Sequence, residues 1–251
     1  MKRLIIIVAT MFLLCANVAY AGSTGSENIK KSSSSSANEC FEGFSRAMFS
    51  FNQAVDAVIF EPIAKGYRVL PMVFRNGTSN VVGNISNLLT IPNNVLQGDF
   101  AEAGNTVARL AINTTVGILG FFDPAEKMGF PKKDKEDYGQ TLGVWGAGSG
   151  CYFVLPILGP TTVRDFTGTV ANLWADPWYN MTTASDPMIA DGMFAESDYY
   201  IEKGTSAIDF RAKNIESFDN IERNSIDLYA SIKSFYLQNR NKKIRDRKSV
   251  V

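Results

Sequence analysis

Apolar residues in this chain recur every three or four positions and almost never every second one, and this spacing constrains its fold most. Phe41, Phe44, Met48, Phe51, Val55, Val58 and Ile59 line one face of a helix of about five turns. Pro62 ends or bends it, and "IAKGYRVL" continues in helical fashion up to Pro71. In "RNGTSNVVGNISNLLTIPNN" asparagines stand at 76, 80, 84, 87, 93 and 94, a density that predicts short helices joined by turns and caps. Ala103, Val107, Leu110, Ala111, Thr114 and Ile118 share a face of a further helix, ended by the polar, turn-rich "GFFDPAEKMGFPKKDKEDYG". "TVRDFTGTVANLW" reads as helical, while "ADPWYN" and "SDPM" mark turns. From about Ser197 to Asn241 runs a long helical tract that Gly204 and Asn220 could break. The fold class is mainly α.

The ends differ in composition from this body. Residues 1–21 have the form of a signal peptide: basic "MKR", the apolar core "LIIIVATMFLL", then Ala19-Tyr20-Ala21, with cleavage expected before Gly22. That core is well short of the roughly 20 apolar residues a membrane-spanning helix needs. Cys15 raises a lipoprotein signal as the alternative, for which Leu14 is a poor preceding residue. Residues 22–39 form a flexible Ser-rich linker without the means to bury a core. Residues 241–251 read as a basic tail, either solvated or drawn to an anionic membrane surface. The helical domain spans residues 40–240.

Chemistry is limited by what is missing. The chain has no His, which removes Ser-His-Asp and Cys-His catalysis and His-ligated zinc. Its 25 basic and 25 acidic residues create no field suited to nucleic acid. "LGVWGAGSGCYFVLPILGP" (142–160) is rich in glycine but lacks the Lys of a phosphate loop and the spacing of a dinucleotide fingerprint. Asp134, Glu136 and Asp137 interleave with Lys132, Lys133 and Lys135, the pattern of a solvated loop rather than a catalytic pair. What is left at 142–160 is a flexible backbone beside an apolar strip, either a hinge beside a cavity or a surface turn. The amphipathic helices suit an ordinary core or a membrane interface equally, since periodicity does not separate the two. Cys40 and Cys151 are either a disulfide pair or buried free thiols.

Six blocks carry a resemblance: "FEGFSRAMFSFN" (41–52), "EPIAKGYRVLP" (61–71), "NISNLLTIPNNVLQG" (84–98), "RLAINTTVGILGFFDPA" (109–125), "DYGQTLGVWGAGSGCYFVLPILGPTTVRD" (137–165) and "RNSIDLYASIKSFYLQNR" (223–240). In content and order they resemble the MlaA/VacJ family of outer-membrane proteins. The resemblance implies a ring of amphipathic helices lying in the plane of the outer membrane around a central amphipathic channel. It implies removal of mislocalised phospholipids from the outer leaflet and their transfer to a periplasmic carrier protein that feeds an ABC transporter. Trimeric porins are the implied partners, with no enzyme activity, cofactor or metal. Gly143, Gly146, Gly148 and Gly150 match the glycines thought to let a hairpin beside the channel move. Arg46, Asn52, Asn94, Gln97, Arg109, Asn113, Asp123, Arg164 and Asp165 are then candidates to line the channel or brace the ring. Two features depart from the family: the signal lacks a good lipobox, and Cys40 and Cys151 replace the usual Pro. Two altered positions of one kind imply a Cys40–Cys151 disulfide. A scaffold that binds porins or other envelope components without moving lipid is the competing function.

Overall fold

The computed structural model describes residues 39–183 and 195–248 of the 251-residue chain; the signal peptide, nearly all of the linker and "SDPM" lie outside them. Helix α1 (Glu42–Val55) passes through a π-helical turn (Asp56–Phe60) into α2 (Glu61–Arg68). Pro62 lies in the first turn of α2, where a missing N–H is tolerated, so the chain stays helical across it.

Helix α3 (Met72–Leu96) is one continuous helix, where short helices and turns were expected. The asparagines turn sideways instead of capping. Asn84 Nδ2 donates to Thr114 Oγ1 (2.9 Å) and Asn94 Nδ2 to Thr106 Oγ1 (3.3 Å), both across to α4 (Phe100–Thr115), while Asn80 Nδ2 donates to the Phe121 carbonyl (3.3 Å). Pro92 sits inside α3, and Asn93 Nδ2 bonds the Leu89 carbonyl beside it (2.8 Å). Asp99 caps α4 by accepting from the Glu102 amide (3.0 Å). The helix stops at Thr115, and Ile118 lies beyond it with φ 53°, not on its face.

A short helix α5 (Pro124–Lys127) precedes α6 (Tyr138–Val144), then the antiparallel hairpin β1 (Tyr152–Leu155) and β2 (Gly159–Thr162), in which Tyr152 faces Thr162 and Leu155 faces Gly159. Helix α7 (Val163–Ala175) follows, capped by Thr162. Helices α6 and α7 touch backbone to backbone at Gly139 and Gly168, where a Cβ on Gly168 would lie 2.2 Å from the Gly139 nitrogen. "ADPWYN" continues as helix α8 (Pro177–Thr183), whose first turn Asp176 caps by accepting from the Trp178 amide (2.9 Å).

The C-terminal tract comprises α9 (Glu196–Lys213), α10 (Ile215–Asn224) and α11 (Leu228–Lys248). It passes through Gly204 and Asn220 and breaks at Asn214 and at 225–227. Residues 241–248 belong to α11 and are no tail: Ile244 is buried, and Arg247 pairs with Asp99 and Glu136.

The polarity of the interior is unusual. Among the described residues there are two small apolar clusters, one of Tyr152, Val154 and Tyr229, the other of Ala64, Ala212 and Ile215. Elsewhere, buried positions hold Asn84, Asn87, Asn93, Asn94, Gln97, Arg109, Gln140, Arg164, Asp165 and Arg211. Meanwhile Val58, Val69, Met72, Val73, Phe74, Phe100, Leu119, Trp174 and Ile201 are more than half exposed. Among the described residues, no helix is long and apolar enough to cross a membrane.

Candidate functional site

Beneath the hairpin lies a cavity of about 390 Å³, within the range of small-molecule sites. One wall comes from a stripe along α1 and the π turn: Phe49, Asn52, Gln53, Asp56 and Phe60. A second comes from the hairpin turn, with Ile157, Leu158 and Gly159. The third comes from Ala207, Phe210 and Arg211 of α9 and Phe218 and Glu222 of α10. The lining mixes aromatic rings with a few polar and charged groups. Ile157, Leu158 and Phe210 are also largely exposed, so the mouth of the cavity joins the apolar outer surface.

Asn52 clasps the hairpin. Its Nδ2 donates to the Leu155 carbonyl (2.8 Å), and its Oδ1 accepts from the Ile157 amide (2.7 Å). Ile157 needs such a hold, because its φ of 66° is costly for a β-branched residue. Opposite, Arg211 grips Asp56 in bidentate fashion, with Nε to Oδ1 at 2.9 Å and Nη2 to Oδ2 at 2.9 Å. Its Nη1 is buried and has no hydrogen-bond partner.

The four glycines separate by role. Gly143 lies in the last turn of α6, where a Cβ would come within 2.5 Å of Ile244 Cδ1, so it serves close packing against α11 and no hinge. Gly146 (φ 100°) and Gly150 (φ 68°) take left-handed turns that suit glycine, and Gly148 faces open space. This loop is held at both ends. Trp145 Nε1 donates to the Leu96 carbonyl (2.9 Å), and Cys151, at the foot of β1, is bonded to Cys40 with their Cα atoms 5.6 Å apart.

Of the nine polar candidates, only Asn52 lines the large cavity. Arg46 is exposed and bridges Glu42 and Asp227. Asn94 joins α3 to α4, and Gln97 Nε2 donates to Glu136 (3.1 Å) and Thr141 (3.0 Å). Arg109 and Asn113 converge on Asp123, at 2.6 and 2.9 Å. Arg164 pairs with Asp165, which also takes Tyr236 (2.6 Å) and Arg240 (2.8 Å). These groups tie helices together. Gln53, Asp56, Arg211 and Glu222 were missed, although Phe49, Gln53, Asp56 and Phe60 form a second stripe running along α1 and the π turn.

The 132–137 loop is not simply solvated. Lys135 enters a small polar cavity between α3 and α4, donating to the Gly83 carbonyl (2.6 Å) and to Asn87. Burial, with Lys132 and Arg109 nearby, pushes its pKa down to about 7. Glu136 is buried against Gln97 and Arg247. Asp137 caps α6 and is paired by Arg240, which with the capping amide outweighs burial and holds its pKa at about 2. Among the described residues, no group of three or more acidic or cysteine side chains is arranged to hold a metal ion.

Comparison with known proteins adds a second line. The family model described as "MlaA lipoprotein" matches residues 37–243. An "Intermembrane phospholipid transport system lipoprotein MlaA" of Haemophilus influenzae is 30% identical over 241 residues, 94% of this chain and 90% of that protein. The protein of the same name from Escherichia coli K12 is 33% identical over 202 residues, 78% of this chain and 74% of its own length. A solved structure from work described as "Structural basis for maintenance of bacterial outer membrane lipid asymmetry" superposes with a TM-score of 0.69 at 29% identity, covering 82% of this chain and 99% of that one.

Proposed function

This chain belongs to the MlaA family, and from that premise we propose that it removes mislocalised phospholipids from the outer leaflet of the outer membrane. It passes them to a periplasmic carrier for retrograde transport, and so maintains lipid asymmetry. The observation that carries this reading is the inverted polarity, an amphipathic cavity and polar interior beneath an apolar exterior. Exposed apolar surface on this scale is expensive in water and neutral in lipid. A buried lattice of Asn, Gln and charged groups holds helices together where the hydrophobic effect between them is absent.

In this reading the helices lie in the membrane plane as a ring, with the cavity forming part of the path through it. A headgroup crosses along the polar wall, while its tails stay against Phe49, Phe60, Phe210 and the hairpin tip. Because the glycine loop is held at both ends, Pro156–Leu158 at the tip is the segment best placed to move, and Gly146, Gly148 and Gly150 let its base adjust. Trimeric porins serve as lateral partners, and the soluble carrier docks from the periplasmic side. After cleavage near Ala21 the interfacial helices hold the protein; processing at Cys15 with a lipid anchor is the alternative, and fractionation after globomycin treatment separates the two.

A deletion strain tests the function. Raised outer-leaflet phospholipid, restored by the gene, is the expected result. Normal asymmetry in the deletion would refute transport and favour a porin-binding scaffold.

A further inference from the structure

The cavity beneath the hairpin carries a charge pattern that its role as a lipid path does not require. Arg211 is buried, and Asp56 occupies its Nε and Nη2. Nη1 remains a buried donor without an acceptor, on a residue that lines the cavity. Such a group is seldom left unpaired in a finished site. The same lining contains Glu222, whose carboxylate meets no cation among the described residues, and the Gln53 amide. With Asp56 already engaged, Arg211 keeps one unfilled donor just behind the cavity wall, and Glu222 adds an unpaired carboxylate to the lining.

We infer that this cavity reads a zwitterionic headgroup of the phosphoethanolamine class, its phosphate at the Arg211 guanidinium, which turns to bring Nη1 to the cavity surface, and its ammonium at Glu222. The inference rests on the phospholipid-transport reading and adds selectivity to it. A purely anionic headgroup would fill the Arg211 edge but lie beside Glu222 and Asp56, two carboxylates against one guanidinium. A purely cationic ligand would leave Nη1 unfilled. A zwitterion satisfies both groups at once and adds no net charge to a largely apolar cavity. Ile157, Leu158 and Phe210 at the mouth supply the apolar surface that its acyl chains need.

The test is competition between two diacyl lipids with identical chains, phosphatidylethanolamine and phosphatidylglycerol. Delipidated full-length protein in detergent is incubated with an equal mixture, and retained lipid is read by native mass spectrometry. Wild type is expected to retain phosphatidylethanolamine in excess. Glu222→Gln, at an exposed position that leaves folding intact, should lower the phosphatidylethanolamine to phosphatidylglycerol ratio by roughly two- to fivefold. Arg211→Gln should weaken retention of both. If Arg211→Gln does not fold, Glu222→Gln alone decides. An unchanged ratio in Glu222→Gln overturns the headgroup reading and leaves transport standing. Retention of neither lipid by wild type overturns transport itself.

Discussion

Replacing Asn52 by Ala removes both halves of the clasp, the bond to the Leu155 carbonyl and the bond from the Ile157 amide. Each neutral hydrogen bond contributes about 0.5–1.5 kcal/mol net, so the hairpin tip loses roughly 1–3 kcal/mol of its stability against local opening. The loss is sharpened because Ile157 is held at φ 66°, from which the freed segment relaxes. At about 1.4 kcal/mol per factor of ten, the tip opens roughly 5- to 150-fold more often. Hydrogen exchange followed by mass spectrometry reads this directly. Peptides covering 155–158 should exchange faster by that factor, while peptides from the middle of α4 keep the wild-type rate. Unchanged protection at Ile157 would show that the tip is held by something other than Asn52, and would sink the assignment of this residue as its latch.

After signal cleavage the chain has only Cys40 and Cys151, so oxidised protein should take up no alkylating agent until it is reduced and denatured. Reduction of that bond, which closes a loop of sequence separation 111, should lower stability by about 4–5 kcal/mol, seen as a fall in melting temperature. Asp137 has its folded pKa lowered from 3.8 to about 2, so its contribution is complete above 3.8 and is lost as pH falls through about 2. That contribution is on the order of 2 kcal/mol, and Asp137→Asn should flatten the acid limb of the stability curve by this amount. Gly143→Leu should destabilise the protein by about 1–3 kcal/mol through collision with Ile244. Gly148→Leu, facing open space, should melt like wild type yet slow lipid removal; wild-type lipid removal in this variant excludes the loop from the mechanism.

The helices were legible wherever one apolar face repeats, as in α1, α4, α7 and the C-terminal tract. The reading failed at α3 because Asn has two opposite uses. Alone it caps or turns, but Asn80, Asn84, Asn87 and Asn94 recur at helical spacing and bond sideways into α4 and its neighbours. Isolated breakers misled in a similar way: Gly204 and Asn220 sit inside helices that tertiary contacts sustain. At the candidate cavity, the hairpin stretch and Asn52 are lining residues that the sequence had singled out. Arg211 and Glu222 were not singled out, because the chain gives no hint that α9 and α10 fold back against α1. Arg240 and Arg247 escaped for a related reason: a run of basic residues looks solvated until the acidic partners at 99, 136, 137 and 165 are brought alongside.

The polar interior has a thermal consequence. In water-soluble proteins, the heat capacity of unfolding is large because apolar side chains leave the core for water. Here much of the apolar surface already faces outward, and unfolding in a micelle keeps it among hydrocarbon while newly wetting amides, hydroxyls and charges. Polar exposure lowers the heat capacity, so the increment per residue should fall below the usual 12–15 cal/mol/K or so. The stability of this protein should therefore vary little with temperature over a broad range and carry little of the curvature that drives cold denaturation.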